Sequence, residues 1–138
     1  MYKLNEFIED HINFSLDFCA KCIRKYDDFF PFSFYIIEKK IVVIEPSDLS
    51  KSPEFNHLIN ELKTKGLELL QSNTANGYCV GYPSRIKIED NYYNALSIYI
   101  KIAEDQQNFK ELIYHFPFTK AQDFNYLFDL VQIIEEHN

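Results

Sequence analysis

His115, Tyr99, Lys101, Glu111 and Ser97 come closest, by type and spacing, to a group that could do chemistry. The run NALSIYIKIA places Leu96, Ile98, Ile100 and Ile102 on one side of a strand, with Ser97, Tyr99, Lys101 and Ala103 on the other. After the turn EDQQN, residues 109–116 return as its partner, with Leu112, Tyr114 and Phe116 on the core face. Matching apolar positions predicts Ile98 opposite Phe116 and Ile100 opposite Tyr114. The same register sets Tyr99 against His115, Lys101 against Ile113 and Ala103 against Glu111, with Ser97 one step along. An imidazole, a phenol, an ammonium and a carboxylate on one face could hold an anion or exchange protons. A solvated face of an antiparallel sheet has the same composition, and that plainer reading is the default.

Acidic residues offer a second grouping. Glu38, Glu45 and Asp48 flank a predicted hairpin, and paired carboxylates can catalyse hydrolysis. Nothing in their spacing fixes a separation, so catalysis is assigned to none of them. Together with Glu89 and Asp90, and with Tyr92 and Tyr93 as aromatic anchors, they suit a surface that meets a basic protein.

Cys19-Ala20-Lys21-Cys22 has the form of a CxxC pair. Redox pairs of this kind sit at a helix N-terminus, where the dipole lowers the thiol pKa. This pair falls near the end of a predicted helix, on its apolar stripe, so two structural thiols are expected. Zinc would need further ligands from Cys79, His11, His57, His115 or His137, and none stands at paired spacing. Neither metal nor cofactor is therefore expected. His11 lies on the stripe beside Ser15 and reads as a hydrogen-bonded core histidine.

These groups must be positioned by a chain of 138 residues, the size of a single domain. Residues 2–26 read as an amphipathic helix, with Glu6, Glu9 and Asp10 early and Lys21, Arg24 and Lys25 late, as the helix dipole favours. Pro31 stops it. Strands follow at 32–37 and 41–45, joined by a turn without the Asn-Gly signature. Ser52 and Pro53 open a second helix, running to about residue 72 on a buried stripe of Phe55, Leu58, Ile59, Leu62, Leu69 and Leu70. Gly66 shares its stripe and leaves room for a neighbouring backbone, while Gly77 is expected to end the turn at positive φ. Residues 78–88 form one broken or bent strand, interrupted by Gly81 and Pro83. The tail, 121–136, fits an added strand or a helix equally well.

The expected fold is α+β: a mainly antiparallel five-stranded sheet of order 2-1-5-4-3 with two long amphipathic helices. That order lays Phe30-Pro31-Phe32 beside Phe116-Pro117-Phe118 at one end of the sheet, as a cap on the core.

The composition excludes several classes. A net charge of −7 opposes general binding to nucleic acid or anionic membranes. No apolar run approaches the length of a membrane span, and acids occupy the place of a signal peptide's apolar core. With three cysteines that cannot all pair, a reducing cytoplasm is the expected home. The chain has three glycines and no P-loop, GxGxxG, GxSxG or HExxH pattern.

FFPFSFYIIEKKIVVIEP, with NALSIYIKIAEDQQNFKELIYHFPF after a helix, resembles a group of small bacterial α+β proteins with an F-x-P-F strand entrance. The matching positions are Phe29 to Phe32, Asn94 to Ile98 and Phe116 to Phe118; Glu38-Lys39-Lys40 stand where that group would carry an Asp-Gly turn. The resemblance implies an extended tail near 125–132 and brings no activity with it. The expected strand order also resembles roadblock-like scaffolds, an analogy of fold alone.

The function expected from the sequence is a non-enzymatic protein-binding module, of the immunity type that masks a basic toxin or another basic partner. A homodimer through a sheet face or edge is its plainer form. The alternative is a small-molecule binder or modest enzyme on the face around Tyr99 and His115.

Overall fold

The computed structural model describes residues 4–46, 54–105 and 108–137. Its elements, in chain order, are α1 (Leu4–Tyr26), β1 (Phe32–Ile37), β2 (Lys40–Val43), α2 (Phe55–Gln71), β3 (Gly77–Ile88), β4 (Asn91–Ala103), β5 (Phe109–Thr119), β6 (Asn125–Tyr126), a 3-10 turn at Phe128–Leu130, and β7 (Gln132–His137). The fold is α+β, with two helices and an open antiparallel sheet of seven strands.

α1 buries Phe7, His11, Ser15, Cys19 and Ile23 along one side. It stops where Asp27 turns to φ 63° and its N–H closes on the Ile23 carbonyl at 2.8 Å. α2 presents Leu58, Leu62, Gly66 and Leu70 at four-residue spacing. Its end is made by Asn73 at φ 59°, with the Thr74 N–H reaching back to the Leu69 carbonyl. Gly77 therefore does not supply the expected positive φ; it lies in β3 under the Phe7 ring. The predicted Ser52 cap and Pro53 lie outside the described residues.

Consecutive strand residues point to opposite faces. Cys79 packs with α1 residues and Tyr78 with α2 residues, so the helices cover opposite faces. The sheet order is β2-β1-β3-β4-β5-β6, and β7 also pairs with β5. The five-strand order 2-1-5-4-3 is thus corrected: β1 lies against β3, not β5. The Phe32 ring explains the choice. It lies over Gly81, its register partner, where a Cβ would collide with the ring, so only glycine accepts this pairing. β3 is accordingly continuous through Gly81 and Pro83 rather than broken. The tail is extended: β6 and β7 run in succession along the outer edge of β5.

The two F-P-F triplets share an end of the sheet but stand two strands apart, with β3 and β4 between them. They still cap the core: Phe29, Pro31, Phe116, Pro117 and Phe118 are buried while Phe30 faces solvent. Phe29 and Phe118 approach across a polar recess of about 380 Å3 that Asp27, Asp28 and Lys120 also line.

The β1–β2 and β3–β4 hairpins use two-residue turns with positive φ at each central position, 49° and 64° at Glu38-Lys39 and 49° and 69° at Glu89-Asp90. This geometry favours Asn-Gly, and ordinary L-residues are strained there. Replacing Glu89-Asp90 by Asn-Gly is expected to stabilise the protein by about 1 kcal/mol, read as a higher urea midpoint at unchanged slope.

Candidate functional site

The polar face is real, but its register differs from expectation. Ser97 pairs with His115, Tyr99 with Ile113, and Lys101 with Glu111. The shift is two residues, so every side chain keeps its expected face and only its neighbours change. Lys101 and Glu111 form an ion pair at 3.1 Å with little exposed side-chain surface. Further along, Ser84 Oγ lies 2.6 Å from Ser97 Oγ, and Ser97 Oγ lies 2.6 Å from His115 Nδ1. Ser97 is fully buried, so this chain of hydrogen bonds runs through the sheet's own surface. Burial holds the His115 pKa below its usual value.

Tyr99 does not join that chain. It is buried in the α2 layer, with the Lys63 ammonium 4.2 Å from its ring centre. Burial, first of all, pushes its phenol pKa upward, and the same holds for the neighbouring Tyr78. The expected solvated face is therefore half roofed by a helix. Tyr99, Glu111 and His115 line none of the recesses at the β1–β2 turn, beside Phe29 and Phe118, or along residues 126–130.

The acidic residues do not form one surface. Glu38 sits in the β1–β2 turn, at the sheet end that holds Gly77 and Ile102. Glu89 and Asp90 sit in the β3–β4 turn at the other end, roughly 40 Å away along β3 at about 3.3 Å per residue. Tyr92 is exposed beside them, with Arg85 and Lys87 cations over its ring, and Tyr93 is half-buried. Glu45 is exposed after β2, and its carbonyl accepts from the Lys65 ammonium at 2.6 Å. Asp48 lies outside the described residues.

Glu38 instead lines a recess that sequence reasoning missed. Glu104, just past β4, lines the same recess, of about 920 Å3. Phe7, Ile36 and Ile102 give this recess an apolar floor, and Asn73, Thr74 and Asn76 of the α2–β3 loop add amide and hydroxyl groups. Only the strand order brings residues 38 and 104 together, so local sequence gave no sign of it.

The thiols behave as core groups. Cys19 and Cys79 are buried, and burial pushes the Cys19 pKa up to about 12 and raises those of Cys22 and Cys79. Such thiols are poor nucleophiles. No group of three or more His, Cys, Asp or Glu residues among those described is placed to hold a metal. No described helix is long and apolar enough to cross a membrane.

No protein-family model, no curated protein and no solved structure matches this chain. The resemblance to the F-x-P-F group gains no support from these comparisons, and function has to be read from the geometry.

Proposed function

We propose that this chain is a non-enzymatic protein-binding module for a basic partner, and that the recess beside Glu38 and Glu104 seats a lysine or arginine side chain of that partner. The observation that carries the reading is the pairing of two carboxylates with an apolar floor in one open recess. A long basic side chain lays its methylene stem on apolar surface while its charge stays at the polar rim. Phe7, Ile36 and Ile102 offer the first surface; Glu38 and Glu104 offer the second. The net charge of −7 would steer a basic protein toward the chain before contact. Glu38 is also held in a positive-φ turn, the kind of strained position that clusters at binding sites. A toxin neutralised by an acidic cover is one partner of this chemistry.

The test is fluorescence anisotropy with a labelled Lys/Arg-rich peptide at low and moderate salt. The double variant E38Q/E104Q is expected to weaken binding about tenfold, equivalent to about 1.4 kcal/mol. E89Q/D90N, at the far end of the sheet, is expected to leave it unchanged. Equal losses in both variants would reduce the effect to net charge, and absence of saturable binding would end the reading.

The alternative, a small-molecule site or modest enzyme on the polar face, draws on the Ser84–Ser97–His115 chain. It is the weaker reading, because Tyr99 is buried under α2 and Ser97 is fully buried within the sheet.

A further inference from the structure

β2 is an edge strand, and no described strand pairs with its outer side. Its sequence is Lys40-Ile41-Val42-Val43, and the three β-branched residues are 42%, 36% and 61% exposed. An exposed apolar edge is a template for another strand unless charge or shape blocks it. Nothing within Ile41–Val43 blocks it.

The backbone directions follow from the register. Ile37 and Lys40 close a two-residue turn and so exchange hydrogen bonds with each other. Hydrogen-bonded pairs alternate along an antiparallel ladder, which makes Tyr35–Val42 the next such pair. The Ile44 N–H on the Ser33 carbonyl, 2.9 Å, continues the series. Lys40, Val42 and Ile44 therefore spend their backbone groups on β1, while Ile41 and Val43 direct theirs outward.

From this we infer that the protein forms a symmetric dimer in which β2 pairs antiparallel with the β2 of a second copy, Val42 facing the partner's Val42 on the two-fold axis. A two-fold axis normal to a sheet keeps each side chain on its face, so facing residue numbers must sum to an even value. Among the registers that centre on β2, this one sets Ile41 against the partner's Val43, and both are residues with outward backbone groups. It also sets Lys39 against the partner's Glu45, twice by symmetry. Centring on Val43 would oppose Ile41 to the partner's Glu45. Centring on Ile41 would oppose Lys39 to the partner's Val43. Of these registers, only the Val42 one opposes charges of opposite sign at both ends of the seam, with Lys40 beside the partner's Ile44.

Such a seam is short and falls below the roughly 1,600 Å2 of a standard stable interface, so dimerisation is expected to be weak and concentration-dependent. This inference does not depend on the basic-partner reading, since it uses the strand edge and not the recess.

The test combines sedimentation equilibrium with cysteine cross-linking. Wild type is expected to pass from monomer to dimer across the micromolar range. K39E and E45K are each expected to weaken dimerisation about tenfold by setting like charges face to face, and K39E/E45K to restore it to within about threefold. V42C should cross-link under mild oxidation, because facing residues in a non-hydrogen-bonded pair lie about 4.5 Å apart at Cα. I41C should not, since it faces the partner's Val43; wild type controls for the native thiols, and circular dichroism for folding. A monomer at every concentration, a charge swap that fails to rescue, or I41C cross-linking as readily as V42C would each overturn the inference.

Discussion

Lowering the pH from 6.5 toward 4 is expected to remove about 3 kcal/mol of stability through one residue, His11. Its Nδ1 lies 2.8 Å from the Phe7 carbonyl. A carbonyl can only accept, so Nδ1 carries the proton and Nε2 is left as a bare acceptor. That atom is buried and has no hydrogen-bond partner among the described residues. The ring is fully enclosed, stacked 4.0 Å from Phe7 and 5.3 Å from Phe34 between centroids. Protonation would place a cation there, so burial depresses its pKa from 6.5 to about 4, with the Phe7 carbonyl and Asp10 opposing the shift more weakly. The unfolded chain then binds a proton that the fold refuses. Stability is present in full above the unfolded value of 6.5 and is lost progressively as pH falls toward about 4.

H11L should remove that dependence. It gives up a stacked ring, worth about 1 kcal/mol, and also removes an unsatisfied acceptor that costs about 1–3 kcal/mol. Its stability at pH 7 is expected to stay within about 1 kcal/mol of wild type, while its urea midpoint changes much less between pH 6.5 and 4. Parallel profiles for the two proteins would place the acid sensitivity elsewhere.

His11 was legible in the sequence, because a polar residue on an apolar helical stripe is a local signal. The helices, the first hairpin and the alternation of β4 were legible for the same reason. Strand order was not, because the same hairpins and the same alternation serve both orders, and the distinguishing contact is that of one ring, Phe32, with one glycine, Gly81, far along the chain. The β4–β5 register slipped by two because a period-two pattern looks the same after an even shift. Cross-strand chemistry could have settled it: the expected register left Lys101 facing Ile113 and Ala103 facing Glu111, whereas the observed one joins Lys101 to Glu111. Glu38 stands apart from Glu89 and Asp90 because the β1–β2 and β3–β4 turns occupy opposite ends of the sheet. Glu38 and Glu104 came to line one recess only through the strand order, which the sequence pattern left open.

G66A is expected to destabilise the protein by about 2 kcal/mol although it improves the helix. At an exposed helical position, alanine would be favoured over glycine by about 1 kcal/mol. Gly66 is instead the point where α2 meets the sheet: an added Cβ would collide with the Tyr78 ring at Cδ2, Cε2 and Cζ. That ring has little freedom to retreat, being 1% exposed and tethered by its hydroxyl, which donates to the Lys63 carbonyl at 3.1 Å. The sequence pattern anticipated a close approach here, but the approaching group is an aromatic side chain and not a backbone. Overpacking of this kind costs about 1–3 kcal/mol and exceeds the helical gain. Y78L alone should also destabilise, by leaving a cavity. In G66A/Y78L the methyl group enters space the ring has vacated, so the double variant should be more stable than the sum of its parts by about 1 kcal/mol or more. Urea midpoints for the four proteins of that cycle decide the matter, and a stabilising G66A would mean that α2 does not sit on Tyr78. The contact bears on function as well as stability: Tyr78 follows Asn76 by two residues, so the glycine that lets α2 lie close also sets where the Asn73–Asn76 loop walls the recess.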